Sequence, residues 1–195
     1  MIAYVEVSVL LLGSLIGSLI TYSSFKGYKI TGSPTLARLS LAFFFLSLGL
    51  IIESLNGIFS IDLLFLEASL QTLGYFLLAF SHAINVINLQ RMGSLSLLLP
   101  LNPLFTLRSL SVLFLLYSTT ETFLSYLREK RKTTLIIALG FSLLIVGEIL
   151  RWLDYFYPPL SLIYLLSLIL KVIGFSTLLI PVILLVARGG KKNEL

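Results

Sequence analysis

The sequence predicts an all-α polytopic integral membrane protein. Three observations carry this expectation. Of 195 residues, 57% are hydrophobic and only 12% charged. Mean hydropathy is +1.03. Apolar runs of about 20 residues, the length of a spanning helix, follow one another along the chain. A soluble domain is roughly 25% charged, and a chain this small exposes too much surface to be coated with half of that. Disorder needs the opposite balance, low hydrophobicity with high net charge. The expected location is the cell membrane, multi-pass, with the lipid bilayer as the first partner.

The elements follow in order. A first helix is predicted over 3–25, since the start lacks the basic region of a signal peptide and the apolar stretch runs on to Lys26 and Lys29. A second is predicted over 36–57, announced by Ser33 at the N-cap and Pro34 at the first helical position. A third covers 62–89. The segment 92–108 reads as a proline-broken linker helix, interrupted at Pro100 and Pro103 and carrying the polar Asn102 between them. Helices over 109–127, 133–153 and 160–187 come next, and 188–195 reads as a basic cytoplasmic tail. The expected total is seven transmembrane helices.

Charge favours this threading. The net charge is +5, from 14 Lys+Arg against 9 Asp+Glu. Short basic loops stay cytoplasmic. With 92–108 as a pass of its own, eleven basic residues fall on one side, and only Arg108 and Arg151 on the other. Without it the bias disappears. The N-terminus is then outside and the C-terminus inside. Basic residues between apolar runs are explained by topology, so no nucleic-acid partner is expected.

An internal duplication is also expected. Ser47-Leu-Gly-Leu-Ile-Ile-Glu53 resembles Ser142-Leu-Leu-Ile-Val-Gly-Glu148 at an offset of 95, and Leu73-Gly-Tyr-Phe-Leu-Leu78 resembles Ile173-Gly-Phe-Ser-Thr-Leu178 at an offset of 100. Residues 1–91 and 109–187 would be two three-helix units in parallel, related by an axis along the membrane normal. This three-plus-one-plus-three plan is similar in topology to that of SWEET and PQ-loop transporters, without a Pro-Gln pair. Microbial rhodopsins share seven helices, an outside N-terminus and a last-helix lysine, the place of Lys171 here.

Ionisable residues at membrane depth are functional candidates by default. Lys171 and Glu121 lie at similar predicted depth, and the reading pairs them across helices. Gln71 occupies the repeat position of Lys171, so a Gln/Lys pair across the axis would be a broken-symmetry site. Glu148 has Arg151 three residues on and reads as a local pair with it. Glu53, without such a neighbour, is expected to hydrogen-bond inside the bundle or line a vestibule. Ser81, His82, Asn85 and Asn88 form a polar inner end on the third helix. Gly13-Ser-Leu-Ile-Gly17 is expected to pack helices within the chain.

One histidine and no cysteine leave no metal site and no cofactor to expect. No phosphate loop, Ser–His–Asp spacing or dinucleotide fingerprint appears, so no enzymatic activity is expected. The reading favours a small-solute transporter or carrier-like binding protein with a polar site near the bilayer midplane. Its alternative is a non-catalytic membrane subunit or sensor module acting through a partner protein. A Schiff-base chromophore protein on Lys171 is the remote third. The partners left open are a small polar solute, a second copy, or a partner membrane subunit.

Overall fold

The computed structural model describes residues 2–59, 62–82, 102–154 and 161–191. These residues form six helices: α1 (Ile2–Thr31), α2 (Pro34–Phe59), α3 (Leu64–His82), α4 (Pro103–Glu129), α5 (Lys132–Asp154) and α6 (Ser161–Lys191). All six are long and apolar enough to cross a membrane. Local chemistry sets their ends. Gly32, at φ 66°, turns α1 into α2, which opens on Pro34. Lys130 adopts the left-handed conformation (φ 50°) and donates its backbone N–H to Tyr126 O at 2.7 Å, closing α4.

The linker expected over 92–108 needs correction at its second half. Pro103 does not break a helix; it opens one. Asn102 is the N-cap of α4, its Oδ1 accepting from Leu104 N at 3.0 Å. Proline is favoured at a first helical position because its missing N–H would be unpaired there anyway. Arg108 therefore sits within α4 and not at a loop. The third helix ends at His82 among the described residues, and α6 continues through the first residues of the expected tail to Lys191. Residues 83–101, with Asn85, Asn88 and Pro100, lie outside the described residues, as do the Pro158-Pro159 stop and 192–195.

The six helices close into a ring in chain order, with α6 returning to α1. Gly13, Gly17 and Gly27 of α1 face Leu50, Ser47 and Leu36 of α2, so these helices are antiparallel. The same three glycines face Val172, Phe175 and Val186 of α6, so α1 and α6 are parallel. The Gly13–Gly17 motif thus serves contacts within the chain. Between α3 and α4 the contacts also advance together: Glu67 meets Arg108, Thr72 meets Ser111 at 2.9 Å, and Phe76 meets Phe114 at 5.4 Å between ring centroids. These two consecutive helices run parallel.

Polarity is distributed as lipid demands. Leu15 is 58% exposed and Phe65 60%, whereas Glu67 is fully buried and Lys171 is 1% exposed. A monomeric soluble protein rarely exposes apolar surface on this scale. Inside, Phe43, Phe141, Phe175 and Tyr75 form an aromatic tier, all buried, with Phe43 edge-on to Phe175 at 5.2 Å.

Candidate functional site: a buried charge cluster and an apolar cavity

The α2 and α3 helices bring Glu53, Glu67 and Gln71 to the bundle interior near the ends that meet around residues 59–64. Arg108 enters from the start of α4, Glu148 and Arg151 from the end of α5, and Tyr164 and Lys171 from the first half of α6. Arg108 Nη2 lies 2.6 Å from Glu67 Oε1, and its Nη1 lies 3.8 Å from Glu148 Oε2. Arg151 Nη2 lies 2.7 Å from Glu53 Oε1 and 3.8 Å from Glu67 Oε1, with its guanidinium 4.0 Å above the Tyr164 ring. Lys171 Nζ lies 2.7 Å from Glu148 Oε1. Three carboxylates thus meet three cations, and the cluster is neutral as a whole.

Gln71 sits at its hub. Its Nε2 donates to Glu53 Oε2 at 3.0 Å and to Glu67 Oε1 at 3.3 Å. Its Oε1 accepts from Lys171 Nζ at 3.1 Å and Arg108 Nη1 at 3.4 Å. That uses both donors and both lone pairs of the amide. Tyr75 and Tyr164 donate their hydroxyls to Glu148 and Glu53, each at 2.8 Å. Two carboxylate oxygens, Glu67 Oε2 and Glu148 Oε2, are buried with no hydrogen-bond partner. Glu148 therefore has spare acceptor capacity and a second cation, Arg108, just outside contact. Stranding one member of a buried ion pair is costly, so the members of the cluster depend on one another.

The structure brings together four of the residues singled out from sequence: Glu53, Gln71, Glu148 and Lys171. It does not pair Lys171 with Glu121. The α4 helix starts at Pro103, so Glu121 lies about 27 Å along it, beyond its middle, and α4 packs against α3 and α5 instead of α6. The local Glu148–Arg151 pair is also replaced, because Arg151 reaches across to Glu53. Asn102 caps α4, and His82 is the last residue of α3. Glu67, Arg108, Arg151, Tyr75 and Tyr164 were not recognised as site members. A signal for the two arginines was present: they are the basic residues on the wrong side of the charge bias, at the depth of three glutamates.

Beyond the aromatic tier, toward the opposite end of the bundle, lies a cavity of about 570 Å³. Thr35, Leu39 and Phe43 of α2 line one wall, and Thr133, Ile137 and Phe141 of α5 the facing one. Among the described residues, Leu178 and Val182 of α6 and Ser81 of α3 also line it. Arg131 stands at its rim. The described helices therefore hold a buried charge cluster toward one end of the ring and an apolar cavity toward the other. No protein-family model, curated protein or solved structure matches this chain.

Proposed function

We propose that the chain is a small-solute membrane carrier built from two parallel three-helix halves, α1–α3 and α4–α6, around a central pathway. The observation that carries this reading is the wall of the cavity. Thr35 and Thr133, Leu39 and Ile137, Phe43 and Phe141 are paired at one constant spacing of 98 residues. A cavity lined by matching positions of two halves lies on the axis between them, where carriers with parallel repeats bind their cargo.

Packing supports the duplication further. A Cβ on Gly74 would meet Leu46 and the Ala42 carbonyl; one on Gly174 would meet Leu144 and the Gly140 carbonyl. Gly49 packs on Gln71 as Gly147 packs on Lys171. These matches favour an offset of 98 between α2 and α5, and of 100 between α3 and α6. The Ser–Glu match at 95 is displaced from this register by three residues, nearly one helical turn. In the favoured register Arg151 stands where Glu53 does, and Lys171 where Gln71 does, so equivalent positions carry complementary groups.

The parallel run of α3 and α4 supports the expected seventh crossing. Orientation follows from charge. Lys26, Lys29, Arg38, Arg128, Lys130, Arg131, Lys132, Arg188 and Lys191 all belong to helix ends or turns at the cavity end. Arg108 and Arg151, the two residues that opposed the bias, are consumed in the cluster. The cavity then faces the cytoplasm, with the N-terminus outside.

A cysteine-free chain makes the test direct, because any introduced thiol is unique. Ile137→Cys is expected to react with an impermeant maleimide added from the cytoplasmic side only. Ser167→Cys, fully buried beside the cluster, is expected to be silent until Glu148→Gln and Lys171→Met are introduced together, and then to react from the outside. Silence of Ser167→Cys in both backgrounds would leave a static bundle, the reading in which the chain acts through a partner subunit.

A further inference from the structure

We infer that the axial cavity binds a single-chain anionic amphiphile, a medium-length acyl chain with a carboxylate head. This names the cargo class of the proposed carrier and rests on that reading. The volume of about 570 Å³ falls within the roughly 300–1,000 Å³ of small-molecule sites. Its body is apolar: Leu39, Ile137, Leu178 and Val182 form walls over a floor of Phe43 and Phe141. A sugar or a zwitterion would lose its hydration there with almost nothing to replace it. The floor is eight residues below Thr35, about 12 Å along α2, which suits an extended chain of moderate length.

The mouth has the opposite chemistry. Among the described residues no acidic side chain lines the cavity, and Arg131 does. Arg131 is 3.2 Å from Glu129, but both side chains are largely exposed, so that contact is readily exchanged for another anion. The first turns of α2 and α5 frame the mouth with Thr35 and Thr133, and helix N-termini carry partial positive charge. A carboxylate at the mouth would take the place of Glu129 on Arg131, while its chain fills the space below.

The test is equilibrium binding of radiolabelled decanoate to the full chain in phosphatidylcholine nanodiscs, with empty discs as the partition control. Saturable binding of one decanoate per chain is expected, with decyltrimethylammonium failing to compete. Replacing Arg131 by Gln is expected to weaken binding about tenfold. Ile137→Trp, and separately Leu39→Trp, are expected to abolish it by filling the cavity, each checked for an unchanged thermal transition. Binding that equals the empty-disc control, or that decyltrimethylammonium displaces equally well, would overturn the assignment. So would displacement by phosphatidylglycerol added to the disc, which would make a bilayer lipid the occupant. No gradient is involved, so saturable binding alongside a silent Ser167→Cys would remove the carrier and keep the ligand site. The reverse result would keep the carrier and remove this cargo.

Discussion

Lys171→Met is expected to cost the bundle about 3–5 kcal/mol, the penalty of stranding one member of a buried ion pair. Lys171 is 1% exposed, and its ammonium lies 2.7 Å from Glu148 Oε1 and 3.1 Å from Gln71 Oε1. Without it, Glu148 keeps the Tyr75 hydroxyl at 2.8 Å and a distant Arg108 at 3.8 Å, and the cluster carries a net negative charge inside an apolar shell. Glu148→Gln alone should be similarly damaging, since it leaves an excess of cations. The double replacement restores neutrality, so most of the loss should return. Equilibrium unfolding in mixed micelles with added SDS measures all three. A coupling energy near zero, with the two single losses simply adding, would mean that Lys171 and Glu148 do not act as a pair. Arg131→Ala, breaking the exposed contact with Glu129, is the control and should leave the transition in place.

Much of the fold was legible because lipid imposes simple rules. Apolar length announced each helix, Ser33-Pro34 marked the start of α2, and the Gly13–Gly17 spacing marked a close contact. The side-chain partners were not legible, and the reason is geometric. Depth can be counted along one helix, but which helices are neighbours depends on the closure of the ring. A helix expected over 109–127 put Glu121 level with Lys171; starting α4 at Pro103 moves it about 9 Å further along the helix. The rule that pairs residues three apart joined Glu148 to Arg151, yet each of these side chains had a better partner on another helix. The match at an offset of 95 relied on residue identity, whereas packing at small residues favours 98. Identity is a poor guide if, as in the proposed register, equivalent positions carry complementary groups.

Gly74→Ala and Gly174→Ala are expected to destabilise by about 1–3 kcal/mol each, as overpacking does, and by similar amounts. A Cβ on Gly74 would lie 2.6 Å from Leu46 Cγ and 3.0 Å from the Ala42 carbonyl oxygen. A Cβ on Gly174 would lie 2.8 Å from Leu144 Cδ2 and 3.1 Å from the Gly140 carbonyl oxygen. The leucine can turn away, but the carbonyl cannot, so α2 must move off α3 in one case and α5 off α6 in the other. Alanine is the better helix former by about 1 kcal/mol, and the clash has to exceed that gain for any loss to be seen. Gly57→Ala sets the baseline, because its nearest neighbour, Val7 Cγ2, stands at an ordinary 3.5 Å; it should be neutral or stabilising. The two contacts belong to different helix pairs, so the double variant should show the sum of the single losses. Similar losses at both sites would follow from one packing motif used twice. A strong effect at Gly74 with none at Gly174, or the reverse, would overturn the proposed equivalence of the halves, and with it the proposed place of the cavity between them.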